Sequence, residues 1–486
     1  MKKYMLLLIV LVLAGQIGQA QTIGVPTITG PVYNYTGAAH ETSKEIVQSD
    51  GGIWCIYNCM ISEEHYEHRF TYLQPRLQVI KYITLPNPII GRNQAYYAIN
   101  DMEVKNGICF FCGNISRMTS IQNNFDYDNF GVVGMFELSD PAATIHIVEV
   151  PGMKDIERIA IDNSGGKIYC IGLCMPPSIT RMSVPNKSCL VEITMPIGGD
   201  LVNSNTMYSV VEPDASERFL DVSCGAYHEL IISSRIIGSN RDFGIRTSKA
   251  LLTDDTQISN LSRYHVFEAD FYENASWNDD IDRVVLDAQS GQGSFAAHGG
   301  GSNMVLCHIT GSWTGLFGRS QKFSKGSPVK VDDLSVSANG AQVDISIISS
   351  LISNGQSAVN YSYANRFVDL LNNDNRRWFY TKNLFLSNDG KMTSSSYLNA
   401  HSLLVAGRDI DSRPIYFIQD PTHIDDEESV GCTRKTDCYQ FDHYHNVVLL
   451  DLPVTRTISN HLFDVSYHPN VTTSMPIVTI QCSSNN

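Results

Sequence analysis

The sequence predicts an all-β fold, and three observations lead to that prediction. The 486 residues include 23 Tyr, 19 Phe and 35 Gly, a composition typical of strands joined by tight turns. Short runs of alternating apolar and polar residues, each followed by a turn and a more apolar run, recur along the chain. They recur about every sixty residues, which indicates a repeated structural unit.

The clearest unit begins with a predicted first strand at Asp101–Val104. The turn Lys105-Asn106-Gly107 follows, in which Gly can adopt the positive φ that a tight hairpin needs. A more apolar second strand is predicted at Ile108–Gly113, and Gly134–Leu138 and Thr144–Val150 are the third and fourth strands. Each unit is therefore expected to be a four-stranded antiparallel sheet.

Equivalent first strands are predicted near residues 47, 101, 160, 221, 284, 345, 402 and 464. In the later units, Ser327–Val331 is predicted as a fourth strand, whereas Val343–Ser349, Tyr397–Gly407 and Leu462–Tyr467 are predicted as first strands. One such sheet cannot bury both of its faces alone, so sheets of this kind pack radially around an axis. The repeat predicts a β-propeller with seven or eight four-stranded blades.

The two chain ends are expected to close the ring. The last unit has only half of its strands, and Val25–Gly30 and Val32–Thr36 could supply the others. Pairing them would remove the open edges of the sheet. We expect a single propeller domain over residues 21–486, with an inserted loop at about 421–446. A pair of β-sandwiches is the alternative, and it would predict irregular spacing and a central linker.

The first 20 residues have the three parts of a secretory signal peptide. Lys2 and Lys3 are basic, Leu6–Ala14 is apolar, and Gly18 and Ala20 suit a signal peptidase site. We expect an exported protein that is periplasmic, cell-surface or secreted, with no transmembrane segment after cleavage. The formal net charge of −15 argues against nucleic acid as a partner.

The repeat resembles that of secreted bacterial β-propeller proteins in general. The resemblance spans nearly the whole chain after the signal and is one of pattern. Propellers carry many functions, so the resemblance implies the fold and leaves the activity open.

Pairs of cysteines recur at the same place in three successive units: Cys55 and Cys59, Cys109 and Cys112, Cys170 and Cys174. Residues four apart in one strand are about 13 Å apart, which is too far for a disulfide. These cysteines are interpreted as small packing residues, with bridges between neighbouring blades as the alternative. Cys432 and Cys438 flank a polar stretch that could bend back, and they are the predicted disulfide.

Two kinds of candidate binding site stand out. Asp442, His443 and His445 form a candidate site for a divalent metal, since imidazoles two residues apart on a strand face the same side. Aromatic residues next to Asn- and Asp-rich loops form a candidate ligand-binding face: Phe125, Tyr127, Trp277 and Trp378. No pattern requires a cofactor, although the oxygen-rich loops would also suit Ca²⁺ or another divalent metal.

Four aspartates share similar positions in the predicted first strands: Asp101, Asp221, Asp282 and Asp464. They could line a central channel, but repetition in many units favours a role as hydrogen-bond acceptors between blades. The leading functional hypothesis is a non-catalytic propeller that binds an extracellular or envelope protein or a glycan through its loops. The alternatives are a propeller hydrolase or lyase acting on polysaccharide or peptide, and a structural component of the envelope.

Overall fold

The 36 elements that the computed structural model describes are all β-strands. Between the strands it describes residues 106–107, 138, 145, 150–152, 162, 165–166, 195, 201 and 462. Side chains are described at residues 97–116, 129–138, 145–162, 165–174, 188–195, 201, 208–213, 217–224, 230–235, 283–284, 454 and 462. The described residues include no helix that could span a membrane.

The strands follow one another along the whole chain. The first ten are β1 (Pro26–Thr29), β2 (Glu45–Val47), β3 (Ile53–Ser62), β4 (His65–Gln74), β5 (Gln78–Pro86), β6 (Ile89–Ile90), β7 (Asn93–Lys105), β8 (Ile108–Ile121), β9 (Asn124–Glu137) and β10 (His146–Glu149). The next twelve are β11 (Met153–Ile161), β12 (Lys167–Cys174), β13 (Lys187–Thr194), β14 (Met207–Pro213), β15 (Glu217–Cys224), β16 (Leu230–Ile236), β17 (Phe243–Ser248), β18 (Arg263–Phe267), β19 (Asp280–Leu286), β20 (Gly293–His298), β21 (Asn303–Thr310) and β22 (Phe317–Ser324).

The remaining strands fall into two groups. Seven continue the repeat: β23 (Val329–Asn339), β24 (Gln342–Leu351), β25 (Asn360–Val368), β26 (Arg377–Asn383), β27 (Lys391–Asn399), β28 (Ser402–Arg408) and β29 (Pro414–Gln419). Seven shorter strands follow: β30 (Thr433–Thr436), β31 (Gln440–His445), β32 (Val447–Asp451), β33 (Val454–Ser459), β34 (Phe463–Asp464), β35 (Val471–Thr472) and β36 (Ile477–Ile480).

Antiparallel hydrogen bonding joins the described strands into seven sheets. Six of them contain four strands that are consecutive in the chain: sheet 1 (β2–β5), sheet 2 (β7–β10, with β6 beside β7), sheet 3 (β11–β14), sheet 4 (β15–β18), sheet 5 (β19–β22) and sheet 6 (β23–β26). Sheet 7 has the order β27-β28-β29-β1-β36 and so combines strands from both ends of the chain. The four-stranded unit predicted from the repeat is therefore present.

The seven short strands β30 to β36, which we name the C-terminal belt, each add one strand next to the fourth strand of a sheet. Strands β30 to β35 pair with the fourth strands of sheets 6, 5, 4, 3, 2 and 1 in that order, and β36 pairs with β1 in sheet 7. The belt thus visits the sheets in the reverse of their chain order. Sequence patterns gave no indication of it, and two of its strands lie inside the stretch predicted as an inserted loop.

Strand β1 places the two ends of the chain side by side. Thr27 is the Cα partner of Ile415 in β29 on one side and of Thr479 in β36 on the other. The segment predicted at Val25–Gly30 thus pairs with the C-terminal strand β36. The second N-terminal segment, Val32–Thr36, lies outside the described residues.

Successive sheets contact each other through their first strands. Strand β11 contacts β7, β8 and β9 of sheet 2, and the same relation recurs for β15, β19, β23 and β27 with the sheet before each. Strand β2 of sheet 1 contacts β27 of sheet 7, and β7 of sheet 2 contacts β2 and β4. Each of the seven described sheets is therefore in contact with two other sheets.

The described core lies between sheets, so both faces of a sheet are buried. On β8, Phe110 and Cys112 pack against sheet 3, whereas the alternate residues Cys109 and Phe111 lie in a second cluster on the other face. On β12, Ile168 and Cys170 face sheet 2, and Tyr169 and Ile171 pack with residues of sheet 4. Burial on both faces explains why the second strand of each unit reads as nearly continuous apolar sequence.

The predicted turn in the clearest unit is confirmed. Lys105 pairs with Ile108, and the two central residues Asn106 and Gly107 have φ angles of 51° and 76°. Two positive φ angles define the hairpin turn that Asn-Gly favours.

A β-bulge recurs in the first strands of six sheets, immediately before these residues: Asp101, Arg158, Asp221, Arg283, Asp333 and Ser394. The partner strand carries Gly113 in sheet 2 and Gly172 in sheet 3 near the bulge. A Cβ atom at either glycine would overlap a backbone carbonyl oxygen, that of Ala98 or of Asp155. These positions need glycine because the bulged backbone approaches closely.

Four predicted strands are placed differently by the structure. Val329–Asn339 is the first strand of sheet 6, whereas Ser327–Val331 was predicted as a fourth strand, and Val343–Ser349 falls in the second strand β24. The predicted strand Tyr397–Gly407 is divided between β27 and β28. In the predicted strand Leu462–Tyr467, the described residues 463–464 form the belt strand β34, which pairs with β10 of sheet 2.

Candidate functional site

Carboxylates on the first strands connect each sheet to the next. Asp101 Oδ2 accepts a hydrogen bond from the backbone N–H of Ile159 at 3.2 Å, and Glu103 Oε2 accepts one from Ile161 at 2.9 Å. Asp221 Oδ2 accepts a bond from the N–H of Val284 at 3.0 Å. The predicted role of Asp101 and Asp221 as acceptors between sheets is confirmed.

The other two aspartates of that prediction differ. Asp282 occupies the bulge position of β19, and its side chain lies outside the described residues. Asp464 belongs to β34 and pairs with Val148 of β10, so it lies at the edge of sheet 2 and not on a first strand. The prediction for Asp464 was wrong because a short belt strand was interpreted as the start of a repeat.

Amide side chains strengthen the same junction between sheets 2 and 3. Asn100 Nδ2 donates to Asp155 Oδ1 and to the carbonyl of Ile156, both at 2.8 Å. Asn114 Nδ2 donates to the same Asp155 Oδ1 at 2.9 Å. These bonds keep the bulged parts of the two first strands together and place the residues that follow each bulge in equivalent positions.

Residues of opposite charge alternate at the position that follows the bulge: Asp101, Arg158, Asp221 and Arg283 in sheets 2 to 5. Arg158 Nε lies 3.7 Å from Asp221 Oδ1, and Arg283 NH1 lies 3.8 Å from the same oxygen. Arg218 NH2 lies 3.6 Å from Glu157 Oε1. We name Glu157, Arg158, Arg218, Asp221 and Arg283 the charge cluster.

The charge cluster extends from the surface into the protein. The Arg218 and Glu157 side chains are 42% and 31% exposed, Arg158 is 25% exposed, and Arg283 and Asp221 are 11% and 7% exposed. Two nitrogens, Arg158 Nε and Arg218 Nε, are buried and have no hydrogen-bond partner in the described structure. Solvent therefore reaches one side of a cluster that still has unused donors.

The hydrogen bonds and ion pairs also show how the sheets are oriented. From the first bonded pair, Asp101 with Ile159, to the second, Glu103 with Ile161, the residue numbers increase in both strands. Strands β7 and β11 are therefore parallel. The ion pairs between β11 and β15 advance in the same way. In sheets 2 to 4, one end of the sheets therefore carries the turns between second and third strands together with the connections to the next sheet. We name this end the loop end.

A long hairpin extends from the loop end of sheet 2. Strands β8 and β9 each have 14 residues, but β7 pairs with β8 only as far as Arg117, and β10 pairs with β9 only over Val132–Met135. The last four pairs of the hairpin, from Met118 with Tyr127 to Ile121 with Asn124, lie beyond the residues that pair with β7 and β10. Ser116 Oγ donates to Asn129 Oδ1 at 2.6 Å near the base of this extension.

The predicted aromatic residues are distributed as follows. Phe125 and Tyr127 lie in the projecting part of the β8–β9 hairpin. Trp277 belongs to the connection between β18 and β19 and is outside the described residues. Trp378 is the second residue of β26 in sheet 6. Their side chains are also outside the described residues, so the structure does not test a common binding face.

The predicted metal site falls on the belt. Asp442, His443 and His445 lie in β31, where they pair with Gln321, Ser320 and Gly318 of β22. Their side chains are outside the described part of the chain. Among the side chains that are described, no group of His, Cys, Asp or Glu could hold a metal ion.

The structure contains a disulfide that sequence reasoning missed. Cys174 of β12 bonds with Cys189 of β13 within sheet 3, with their Cα atoms 6.2 Å apart. Cys170 remains free, as expected from its distance along the same strand, but Cys174 is neither a simple packing residue nor a bridge between blades. The predicted partners Cys432 and Cys438 lie outside the described residues.

The free thiols in the core are not suited to nucleophilic chemistry. Cys109, Cys112 and Cys170 are buried, and burial raises the pKa of all three thiols well above the usual value. For Cys112, nearby Cys170, Asp101 and Asp155 raise the pKa further, while Arg158 opposes the shift. Because the thiolate is the reactive form, these residues act as packing groups at neutral pH, which confirms their predicted role.

Comparisons with known proteins give structural similarities at low sequence identity. No protein-family model and no curated protein sequence matches the chain. A prolyl endopeptidase structure aligns with a TM-score of 0.38 and 9% identity, over 82% of this chain and 51% of that chain. The phage phi92 endosialidase aligns with a TM-score of 0.33 and 9% identity, over 83% of this chain and 70% of that chain. The chain thus spans about half the length of the prolyl endopeptidase that it resembles.

Proposed function

We propose that this chain is an exported seven-bladed β-propeller that binds a protein or a glycan through its loop end. Seven sheets in a closed series of contacts, with parallel first strands where their direction is defined, support the propeller. In this proposal β1 completes the blade of β27, β28 and β29, and the belt adds an outer strand to every blade.

Export is supported by two features. Residues 1–20 have the composition of a signal peptide, and the Cys174–Cys189 disulfide joins neighbouring strands in the core of sheet 3. Structural disulfides persist in oxidising compartments and are rare in the cytosol. The proposed location is therefore the periplasm, the cell surface or the medium.

The projecting β8–β9 hairpin is the observation that carries the proposed binding function. In the described pairing of sheet 2, its last four residue pairs have no partner in β7 or β10, so this part of the hairpin extends past the paired region of the sheet. Segments that a rigid scaffold holds out from its surface are a common site of recognition. Phe125 and Tyr127 belong to this segment and supply residue types that make large contact areas.

The test is a shortened hairpin. Replacing residues 118–127 by Asn-Gly would leave the partners Arg117 and Asp128 joined by a two-residue turn. We expect the mature protein to bind specific glycans on an array, or specific proteins from the extracellular fraction, and the shortened variant to lose that binding. Its thermal unfolding should stay close to that of the parent protein.

A Phe125→Ala/Tyr127→Ala double variant is the matched control, because it keeps the hairpin backbone. Loss of binding in both variants would assign recognition to the aromatic side chains. Unchanged binding in the shortened variant would contradict the proposed role of the hairpin. Turnover of a peptide or polysaccharide by the purified protein would contradict the non-catalytic function.

A further inference from the structure

We infer that the projecting hairpin binds an extended, basic segment of a protein partner, which pairs with β9 as an added β-strand. The inference rests on the proposed function, because the β8–β9 hairpin carries both, and it names the kind of partner. Three features support it: the direction of the backbone hydrogen bonds of β9, the part of its edge that no described strand covers, and the charges along that part.

The hydrogen bonds of β9 show which of its residues face away from β8. The N–H of Val150 donates to the carbonyl of Gly131 at 2.9 Å, on the side of β9 that pairs with β10. Bonding directions alternate along an antiparallel strand, so the odd-numbered residues of β9 direct their N–H and C=O groups towards that side. The even-numbered residues bond across the hairpin to β8.

Residues 125–129 of β9 form what we name the open edge. Pairing with β10 covers Val132–Met135, and after β10 the chain turns at residues 151–152 and continues as β11. Among the described strands, none pairs with the outward backbone groups of Phe125, Tyr127 and Asn129. Such a row of N–H and C=O groups is a template for a further strand, whose main-chain hydrogen bonds provide the affinity.

The opposite edge of the hairpin offers less. On β8 the even-numbered residues face outward, and Ser116 already pairs with Tyr96 of β7. Beyond that pair, the described part of β8 has Met118 and Ser120 in the outward direction. Two outward residues on β8 against three on β9 favour the open edge as the place where a strand is added.

The charges of the open edge argue against a second copy of this chain as the added strand. A two-fold pairing centred on Tyr127 would place Asp126 opposite Asp128. Centring the pairing on either aspartate would place that residue opposite its own copy. Like charges directly opposite each other in a sheet are destabilising, so pairing between copies is disfavoured.

The same two aspartates indicate the chemistry of the partner. Asp126 and Asp128 are two residues apart in β9 and so belong to one face of the strand, whereas Phe125 and Tyr127 belong to the other. Opposite charges and aromatic with β-branched residues are the favourable pairs across two strands. The partner strand is therefore expected to alternate Lys or Arg with β-branched residues, and the formal net charge of −15 also attracts a basic segment.

The test measures binding of a fluorescent synthetic peptide, Val-Lys-Thr-Lys-Val-Lys-Thr, by fluorescence anisotropy. In the inferred pairing the lysines lie opposite the aspartates, and the valines and threonines exchange backbone hydrogen bonds with the open edge. N-methylation of the valines and threonines should therefore weaken binding about tenfold or more, and N-methylation of the lysines by less than about threefold. Glutamate in place of every lysine should also weaken binding about tenfold or more.

Protein variants test the same pairing from the other side. Tyr127→Pro removes one outward N–H of the open edge and should weaken peptide binding about tenfold. Tyr127→Ala keeps that N–H and is its matched control, with an expected change below about threefold. Ser120→Pro removes an outward N–H from the opposite edge and should leave binding unchanged. Asp126→Asn with Asp128→Asn should abolish the preference for the lysine peptide over the glutamate peptide.

Thermal unfolding would show that each variant is folded, and the N-methylated peptides test the pairing on the unaltered protein. Absence of peptide binding, or equal binding of the two N-methylated peptides, would overturn the inference. Equal binding by folded Tyr127→Pro and the parent protein would also overturn it. A glycan or protein that binds through the hairpin while the lysine peptide does not bind would refute the added strand and leave the proposed function intact.

Discussion

Replacing Asp221 tests whether one carboxylate holds sheets 3, 4 and 5 together. Asp221 is 7% exposed, accepts the backbone N–H of Val284 at 3.0 Å, and lies within 3.8 Å of two guanidinium groups. In Asp221→Ala, the N–H of Val284 loses its acceptor, which costs about 1–3 kcal/mol for a buried group. Arg283, at 11% exposure, also loses the nearby carboxylate of Asp221.

The loss of the ion pair with Arg283 is large, but it does not simply add to the loss of the hydrogen bond from Val284. Removing one partner of a buried pair costs about 3–5 kcal/mol, and Arg158 adds little because its 25% exposure allows water to screen it. Both losses belong to a single carboxylate, so we expect Asp221→Ala to lower the free energy of unfolding by about 3–5 kcal/mol. Asp221→Asn keeps an oxygen for Val284 and should lose about 1–3 kcal/mol less than alanine.

Urea unfolding followed by intrinsic fluorescence measures both values. Glu137→Ala is the control, because Glu137 is exposed at the end of β9 and its loss should cost less than about 0.5 kcal/mol. Equal losses for the alanine and asparagine variants would show that the bond to Val284 contributes nothing. Losses below about 1 kcal/mol for both would refute the assignment of Asp221 as a buried link between sheets.

Four further outcomes are expected. Gly172→Ala should destabilise the protein by about 1–3 kcal/mol in urea, because the added Cβ overlaps the carbonyl of Asp155, and a variant of native stability would contradict the bulge. Reduction should cost about 3 kcal/mol if Cys174 and Cys189 close a loop of 15 residues, and non-reducing peptide mapping should recover this pair. Raising the pH from 8 to 10 should lower the free energy of unfolding, because thiols ionise in the unfolded chain while burial keeps Cys109, Cys112 and Cys170 protonated in the folded one. In the triple alanine variant, the free energy of unfolding should fall less steeply with pH, by up to about 1.4 kcal/mol per pH unit for each thiol removed. Thr27→Cys with Thr479→Cys should form a disulfide in the folded protein, since the two residues are Cα partners, and failure of that bond under oxidation would contradict the pairing of the chain ends.

Local sequence patterns predicted the parts of the fold that depend on local chemistry. The Asn106-Gly107 turn follows from the φ preferences of two residues, and the apolar second strands follow from burial on both faces. Repetition of an aspartate suggested acceptors between sheets, and Asp101 and Asp221 have that role. In each case a few adjacent residues determine the structure.

The charge cluster was missed because a bulge changes the count of residues. A bulge moves the following side chain by one position, so Asp101, Arg158, Asp221 and Arg283 become equivalent although their spacing in the sequence is uneven. Comparing only aspartates selected Asp282, the residue in the bulge, and overlooked Arg283 beside it. Alternation of charge at the residue after each bulge was the available signal.

The belt could not be predicted because its strands have 2–6 residues and pair with partners far away in the chain. The order in which the belt strands pair with the sheets nevertheless indicates which sheets are neighbours, and this indication is independent of the contacts between first strands. At most six residues, 465–470, separate consecutive belt strands, and such a segment spans no more than about 25 Å. Sheets 6, 5, 4, 3, 2, 1 and 7 must therefore be neighbours in that order along their outer edges. The first strand of sheet 7 also contacts sheet 6, so the order of the belt and the contacts between first strands both support the propeller proposed above.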